Sequence, residues 1–331
     1  MCTTVLARRW RAAWIYGPGP DLLIALCWVP MFLIGHRLSA GVGDDELLRR
    51  AVAAAFLVSF LHQPLTLGLV YGDARRFRER RRLFVWAPPI TLAVIVVAVT
   101  MHLWVIIPIA AVWNTVHTLQ QRYGLSRIYA RKSGYGSARL DRGVLYAWMT
   151  AVALIVAANP ATLSLVRRVG LDHVNGSGVR LLTDLRPLAL AVLVPVGAVA
   201  LFLAAAIVRQ EVRVGVSAAN PAKWVYQASS LALIAAIAVD PAAGFIAYVG
   251  AHAIEYFVIV YKTAETRYGP GIKRVACLGG IVGLALVAHG RLHAAVYDTV
   301  IYTVGTLHFL YDSFIWKLRK PTVAADFAIR S

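Results

Sequence analysis

The uncharged stretch Pro187–Val208, PLALAVLVPVGAVALFLAAAIV, decides the fold class. It is longer than the roughly 20 apolar residues that an α-helix needs to cross the hydrocarbon core of a bilayer. Similar runs occupy residues 21–38, 51–71 and 242–261. Of the 331 residues, 59% are apolar and 15% charged, with a mean hydropathy of +0.65, whereas soluble domains carry about a quarter charged residues. The sequence therefore predicts an all-α, polytopic integral membrane protein.

The apolar runs predict about ten transmembrane helices in a single membrane domain covering residues 1–331. A continuous apolar stretch at 83–121 is too long for one crossing, so we expect a break near Met101–His102. Asp240-Pro241 separates two further spans, because proline begins helices well and continues them badly. The predicted spans are 21–38, 51–72, 84–101, 103–122, 143–163, 187–208, 224–239, 241–261, 274–290 and 294–316.

The basic residues predict the orientation of these spans. With the N-terminus in the cytoplasm, 26 of the 34 Lys and Arg residues fall in cytoplasmic segments, which include the short basic ends 1–20 and 317–331. We therefore expect both termini in the cytoplasm and a multi-pass protein of the cell inner (plasma) membrane. Topology and anionic headgroups also account for the net charge of +18, so we expect no nucleic-acid partner.

Four histidines lie inside predicted spans, where ionisable side chains are costly and usually functional. His62, His117, His252 and His308 belong to the second, fourth, eighth and tenth spans. Each precedes the predicted cytoplasmic end of its helix by about 5–10 residues, or roughly 8–15 Å at the helical rise. We therefore expect the four imidazoles in one layer of the cytoplasmic half of the bilayer, at a shared site.

Two carboxylates accompany these histidines at helical spacing. Glu255 follows His252 by three residues and Asp312 follows His308 by four, so each pair shares a helix face. Imidazole and carboxylate ligands without thiolate suit iron, zinc or manganese. We predict a metal site of His62, His117, His252, Glu255, His308 and Asp312, in which Glu255 and Asp312 also serve as catalytic groups that bridge metals or move protons.

A site of this kind among acyl chains favours oxidative chemistry on an apolar substrate. Activating an unreactive C–H or C=C bond needs oxygen chemistry, which iron provides. We therefore expect a non-haem iron oxygenase, hydroxylase or desaturase, mono- or dinuclear, that acts on a lipid or isoprenoid and receives electrons from a donor protein. In general design the chain resembles the histidine-rich membrane oxygenases, although the HxxHH clusters of fatty-acid desaturases are absent.

Other interpretations of the same residues remain open. An intramembrane histidine often only bonds a neighbouring helix, and Asp312 could pair with Lys317 or Arg319 at the interface. Paired histidines could be axial haem ligands, and histidines with carboxylates could form the proton relay of a transporter. Zinc is a further possible metal. Separately, His289 and His293 have metal-ligand spacing and are candidates for a second site.

The orientation can be tested with reporter fusions. A fluorescent protein that folds only in the cytoplasm should fluoresce when fused after Ser331, and alkaline phosphatase at the same position should be inactive. Alkaline phosphatase inserted in the predicted outer loop at 164–186 should be active. Active phosphatase after Ser331 would contradict the cytoplasmic C-terminus.

Overall fold

The computed structural model describes residues 14–41, 45–215, 219–264, 271, 277–285, 294–320, 323–324, 327 and 329. The structure is 87% helix, and no β-strand occurs among the described residues. The predicted all-α class is therefore confirmed. The helices, in chain order, are α1 (Pro18–Leu26), α2 (Trp28–Ala40), α3 (Asp45–Tyr71), α4 (Ala74–Glu79), α5 (Arg81–Thr100), α6 (Ile106–Ser133), α7 (Ala138–Ala158), α8 (Ala161–Arg168), α9 (Leu171–Val174), α10 (Gly176–Val214), α11 (Pro221–Val239), α12 (Pro241–Thr263) and α13 (Ala294–Ile315). Residues 277–285 are also helical.

Within the described residues, seven helical segments are long and apolar enough to cross a membrane. They are α3, α5, α7, α10, α11, α12 and the continuous stretch Pro18–Ala40 formed by α1 and α2. The helices α6 and α13 match predicted spans in position but carry more polar sequence, including the site residues His117, His308 and Asp312. The ninth predicted span, 274–290, is described only over 277–285. The count of about ten and the side on which the termini lie stay predictions.

Both predicted helix breaks are present. The helix α5 ends at Thr100 and α6 begins at Ile106; between them His102 has a φ of 51°, in the left-handed region that ends helices. Between α11 and α12, Asp240 is extended and its carboxylate accepts hydrogen bonds from the backbone N–H groups of Ala242 and Ala243, at 3.1 Å each. Asp240 thus caps α12, whose first residue, Pro241, has no N–H to satisfy.

Chain contacts divide the protein into two compact units. Unit 1 comprises residues 1–55, 118–251 and 327–331, and unit 2 comprises residues 56–117 and 252–326. All six predicted site residues fall in unit 2. In unit 1, α7 packs against α10 and α11. Unit 1 also buries the ammonium group of Lys223, which donates to Glu211 and lies 4.0 Å from the centre of the Tyr135 ring.

Unit 2 has an apolar core beside its polar residues. In this unit α13 packs against α5, and apolar side chains of α3, α12 and α13 join the same core. Gly305 of α13 lies against α3, because a Cβ at this position would be 3.2 Å from Oε1 of Gln63. A glycine here therefore permits a close approach of the two helices beside His62 and His308.

The cap at Asp240 can be tested by substitution. Asp240→Ala removes the acceptor for two buried N–H groups and should destabilise unit 1 by about 1 kcal/mol, the usual cost of a lost N-cap. Asp240→Asn keeps a capping oxygen and should remain close to the wild type, because the ion pair with His36 (49% exposed) adds little. Thermal unfolding in detergent measures both. Equal losses in the two variants would contradict a capping role.

Candidate metal centre

Four helices carry the predicted histidines to one place, and all four histidines belong to unit 2. The imidazole of His62 (α3) lies 4.7 Å from that of His252 (α12) and 4.8 Å from that of His308 (α13), measured between ring centres. His117 (α6) lies 5.1 Å from His252 and 4.7 Å from His308. The side chains of His62, His252 and His308 are fully buried and His117 is 8% exposed. Four helices distant in sequence therefore form one buried imidazole cluster.

The nitrogen and oxygen atoms of the cluster form two groups that could hold a metal ion. His62, His252 and His308 form one group, and His117, His308 and Asp312 form the other; the ligand atoms in each lie within 4.8 Å of one another. Two atoms that each lie about 2.1 Å from one ion can be at most about 4.2 Å apart. The Nε2 atoms of His62 and His308 are 3.2 Å apart, and Nε2 of His117 is 3.8 Å from Oδ2 of Asp312. His308 belongs to both groups and is therefore the residue on which both depend.

A hydrogen-bond network orients His308 from the side away from His62. Thr66, one turn after His62 on α3, donates its hydroxyl proton to Oδ1 of Asp312 at 2.9 Å. Tyr256 of α12 donates to the same carboxylate oxygen at 3.0 Å and also contacts the Thr66 hydroxyl. Nδ1 of His308 lies 2.6 Å from Oγ1 of Thr66. All four groups of this network are buried.

The same network favours one tautomer of His308. When the single hydroxyl proton of Thr66 is directed to the Asp312 carboxylate, its oxygen accepts a hydrogen bond from the imidazole. Nδ1 of His308 therefore carries the proton, and Nε2 presents its lone pair toward His62. A histidine that ligates metal through one nitrogen and is held through the other by a carboxylate-linked hydrogen bond is the usual arrangement in metal sites.

The two carboxylate oxygens of Asp312 have different contacts: one accepts the hydrogen bonds that orient His308, and the other lies near His117. Oδ1 accepts from Thr66 and Tyr256, whereas Oδ2 lies 3.8 Å from Nε2 of His117 and 3.7 Å from Nδ1 of His308. The alternative in which Asp312 pairs with Lys317 or Arg319 is not what the structure shows, because Asp312 is only 7% exposed and its polar contacts lie inside the helices. Nε2 of His117 makes no hydrogen bond within the described part of the chain.

The structure thus brings together five of the six predicted ligands. Glu255 is fully buried on α12, one turn after His252, but within the described residues it belongs to neither metal-compatible group. Its role as ligand or catalytic group stays a prediction, as do the ligand roles of the other five. The candidate second site at His289 and His293 lies outside the described residues.

Sequence reasoning missed the hydrogen bonds that Thr66 and Tyr256 make with the site. A signal was available for each, since Thr66 follows His62 by four residues and Tyr256 follows His252 by four, which places each beside a histidine on its helix face. Neither residue type is a usual metal ligand, so a search for ligand types passes over both. Their importance appears only when α3, α12 and α13 meet around Asp312.

Comparison with known proteins adds no further assignment. No protein-family model, curated protein or solved structure matches this chain.

The orienting role of Thr66 makes a specific prediction. Thr66→Val keeps the shape of the side chain but removes the hydroxyl that holds His308 and Asp312, so metal affinity should fall about 10- to 100-fold. Thr66→Ser retains the hydroxyl and should bind metal like the wild type. Competition with a chromogenic chelator measures the affinity, and circular dichroism checks the helical content. Equal affinity in all three proteins would contradict this role.

Proposed function

We propose that this chain is an integral membrane oxidoreductase that uses non-haem iron bound by His62, His117, His252, His308 and Asp312. The proposed substrate is a lipid or isoprenoid-like molecule that reaches the site from the bilayer. The single observation that carries the proposal is the meeting of four buried imidazoles from four helices with one carboxylate, in two groups whose ligand atoms lie within 4.8 Å of one another.

The energetics of burial support a metal-binding function. A buried polar atom without a partner costs about 1–3 kcal/mol, and the cost is greatest where water is absent. Purely structural histidines would be expected to pair with hydroxyls, amides or carbonyls of neighbouring helices. Within the described part of the chain, the Nε2 atoms of His62 and His308 have only each other as hydrogen-bond partners, at 3.2 Å, and Nε2 of His117 makes no hydrogen bond. A bound cation would satisfy these nitrogens together.

The ligand chemistry supports iron. A set of imidazoles with one carboxylate and no thiolate matches the preference of non-haem iron, and zinc or manganese are the other metals it accommodates. When bound, iron supplies oxygen chemistry capable of attacking an unreactive C–H or C=C bond. The two groups share His308, so the site accommodates either one ion or two neighbouring ions.

The residues around the ligands have separate proposed roles. The carboxylate of Asp312 holds Thr66 and Tyr256, and through Thr66 it fixes the His308 imidazole. Tyr256 donates a proton-bearing hydroxyl into the same network, which makes the network a route for proton movement beside the metal. Glu255, buried one turn from His252, is the further proposed proton carrier. Burial of the whole cluster excludes bulk water, which protects reactive species from side reactions.

A haem site fits this geometry poorly. A porphyrin plane between two axial imidazoles needs an apolar slot that separates them. The rings of the cluster instead pack at 4.7–5.1 Å around His62 and His117, and Asp312 is directly beside them. We therefore favour non-haem iron.

Proton-coupled transport is the second candidate. The bonded series His308, Thr66, Asp312 and Tyr256 would also serve as a proton relay within the bilayer. In that case protein in liposomes would move protons with a solute that stays chemically unchanged. The two candidates therefore differ in whether the substrate is altered.

Metal analysis tests the proposed centre. Purified protein should contain one or two iron ions per chain, with no Soret band. His308→Ala should lose the iron because His308 belongs to both groups, whereas the control His173→Ala, whose side chain is 88% exposed, should retain it. Elemental analysis and visible spectra provide the readout. Full retention of iron in His308→Ala would overturn the centre.

The oxidative step has its own test. Iron-loaded protein in native membrane lipid, given a reductant and ¹⁸O₂, should yield a lipid product that carries ¹⁸O or has lost two hydrogens, detected by mass spectrometry. His308→Ala should give neither product. Solute-dependent proton flux without a changed lipid would instead favour transport.

A further inference from the structure

A strongly basic surface lies at one end of unit 2. Segment 75–82 contains six arginines and segment 317–320 contains three further Lys or Arg residues, with Glu79 as the one acidic residue among these positions. We call these two segments the basic surface. They are adjacent, because Lys320 bonds Glu79 at 2.5 Å and Arg80 lies 4.3 Å from the ring centre of Phe314. Most of the arginines in the basic surface are exposed.

The basic residues of this surface outnumber the acidic residues that pair with them. Glu79 pairs with Lys320, and Asp73, just before the surface, lies 3.8 Å from Arg76. The pKa of Lys317 is lowered from its ordinary value by loss of hydration and by the nearby charges of Arg319, Arg80 and Lys320. A surface of this kind favours a partner that brings negative charge.

An aromatic path connects the basic surface with the imidazole cluster. Arg76 lies 5.9 Å from the ring centre of Trp316, which is half-buried at the end of α13. The Trp316 ring is 6.2 Å from the ring of Tyr256, and Tyr256 is 5.1 Å from the ring of His308. Two ring-to-ring steps therefore connect the basic surface with the residue shared by both metal groups.

The proposed chemistry requires an external supply of electrons. Oxygen-dependent hydroxylation or desaturation consumes two electrons beyond those of the substrate, and they must reach a buried centre. The chain contains no GxGxxG or Walker motif with which it would hold a nucleotide cofactor of its own. A separate carrier protein would have to dock where a conducting path begins.

We propose that the basic surface docks an acidic one-electron carrier protein, whose electron reaches the metal centre through Trp316 and Tyr256. This inference rests on the proposed iron centre. In each step the reduced carrier loses one electron and Fe³⁺ of the centre becomes Fe²⁺, with no bond made or broken in Trp316 or Tyr256. Anionic lipid headgroups are the competing occupant of a basic surface. They would explain the arginines but not the aromatic path to His308.

Stopped-flow reduction tests the docking. Iron-loaded protein in zwitterionic nanodiscs is mixed with reduced plant-type ferredoxin, an acidic [2Fe–2S] protein, and Fe³⁺ reduction is followed optically. Arg78→Glu/Arg81→Glu/Arg319→Glu should slow the second-order rate at least tenfold and weaken its salt dependence. The control Arg139→Glu/Arg209→Glu/Arg213→Glu makes the same charge change at exposed arginines of unit 1 and should leave the rate unchanged. Equal rates in both triple variants would overturn the docking surface.

The electron path through Trp316 is tested by measuring ferredoxin binding and electron transfer separately. Trp316→Leu should leave ferredoxin affinity unchanged and slow the limiting rate at saturating ferredoxin at least tenfold, whereas Trp316→Phe should restore part of that rate. An unchanged limiting rate in Trp316→Leu would overturn the path. Photoreduced 5-deazariboflavin, which needs no docking protein, should reduce the iron in both triple variants at the wild-type rate.

The same reductant separates failure of this inference from failure of the proposed function. If no iron binds, or if the deazaflavin cannot reduce bound iron, the proposed centre itself fails. If the deazaflavin reduces the iron but ferredoxin does not, only the docking inference fails. The variant Arg78→Glu/Arg81→Glu/Arg319→Glu could also be reduced by ferredoxin at the wild-type rate and differ from the wild type only in its stability in anionic-lipid nanodiscs. That result would assign the basic surface to lipid and overturn the inference.

Discussion

The hydrogen bond between Thr66 and His308 is the contact on which the candidate site depends. It fixes which imidazole nitrogen of His308 carries the proton, and so which nitrogen faces His62. It also joins the imidazole to Asp312, because the same hydroxyl donates to that carboxylate. Without it, Nδ1 of the buried His308 imidazole would need another partner in a region where water is scarce, at a cost of about 1–3 kcal/mol for an unsatisfied atom.

The fold of unit 2 supplies what this contact requires. Gly305 permits α13 to lie close against α3, next to the helical turns that carry His62 and His308. The apolar cluster around Leu69, Val260 and Tyr311 packs the same helices together beside the polar residues. Precise placement of polar groups by rigid, well-packed helices is what a binding site needs, because a small displacement of a ligand weakens the site.

The sequence predicted the helices and the site residues for a physical reason. Apolar length determines a membrane helix, and polar residues within such helices are rare enough to be noticed individually. The break at Met101–His102 was predictable because the apolar stretch 83–121 is too long for one crossing, and the break at Asp240-Pro241 because proline begins helices well and continues them badly. The helix α13 was predicted as a span. Its polar residues lower its mean hydropathy, and it is therefore not among the seven helical segments that are apolar enough to cross a membrane.

The network around His308 could not be predicted in the same way. The contact of Thr66 with both His308 and Asp312 depends on the rotation of α3 against α13, which packing determines and composition does not. Glu255 shows the opposite case: its spacing from His252 predicted a shared face, but among the described residues it joins neither metal-compatible group. Helical spacing identifies which side chains share a face, and only the packed structure identifies what that face meets.

Anomalous X-ray diffraction at the iron absorption edge, from crystals of iron-loaded protein, locates the metal relative to the four histidines. We expect an anomalous peak about 2 Å from Nε2 of His308, with His62 or His117 as a further ligand. A map with no peak among the four histidines, or with iron only at surface residues, would contradict the proposed centre.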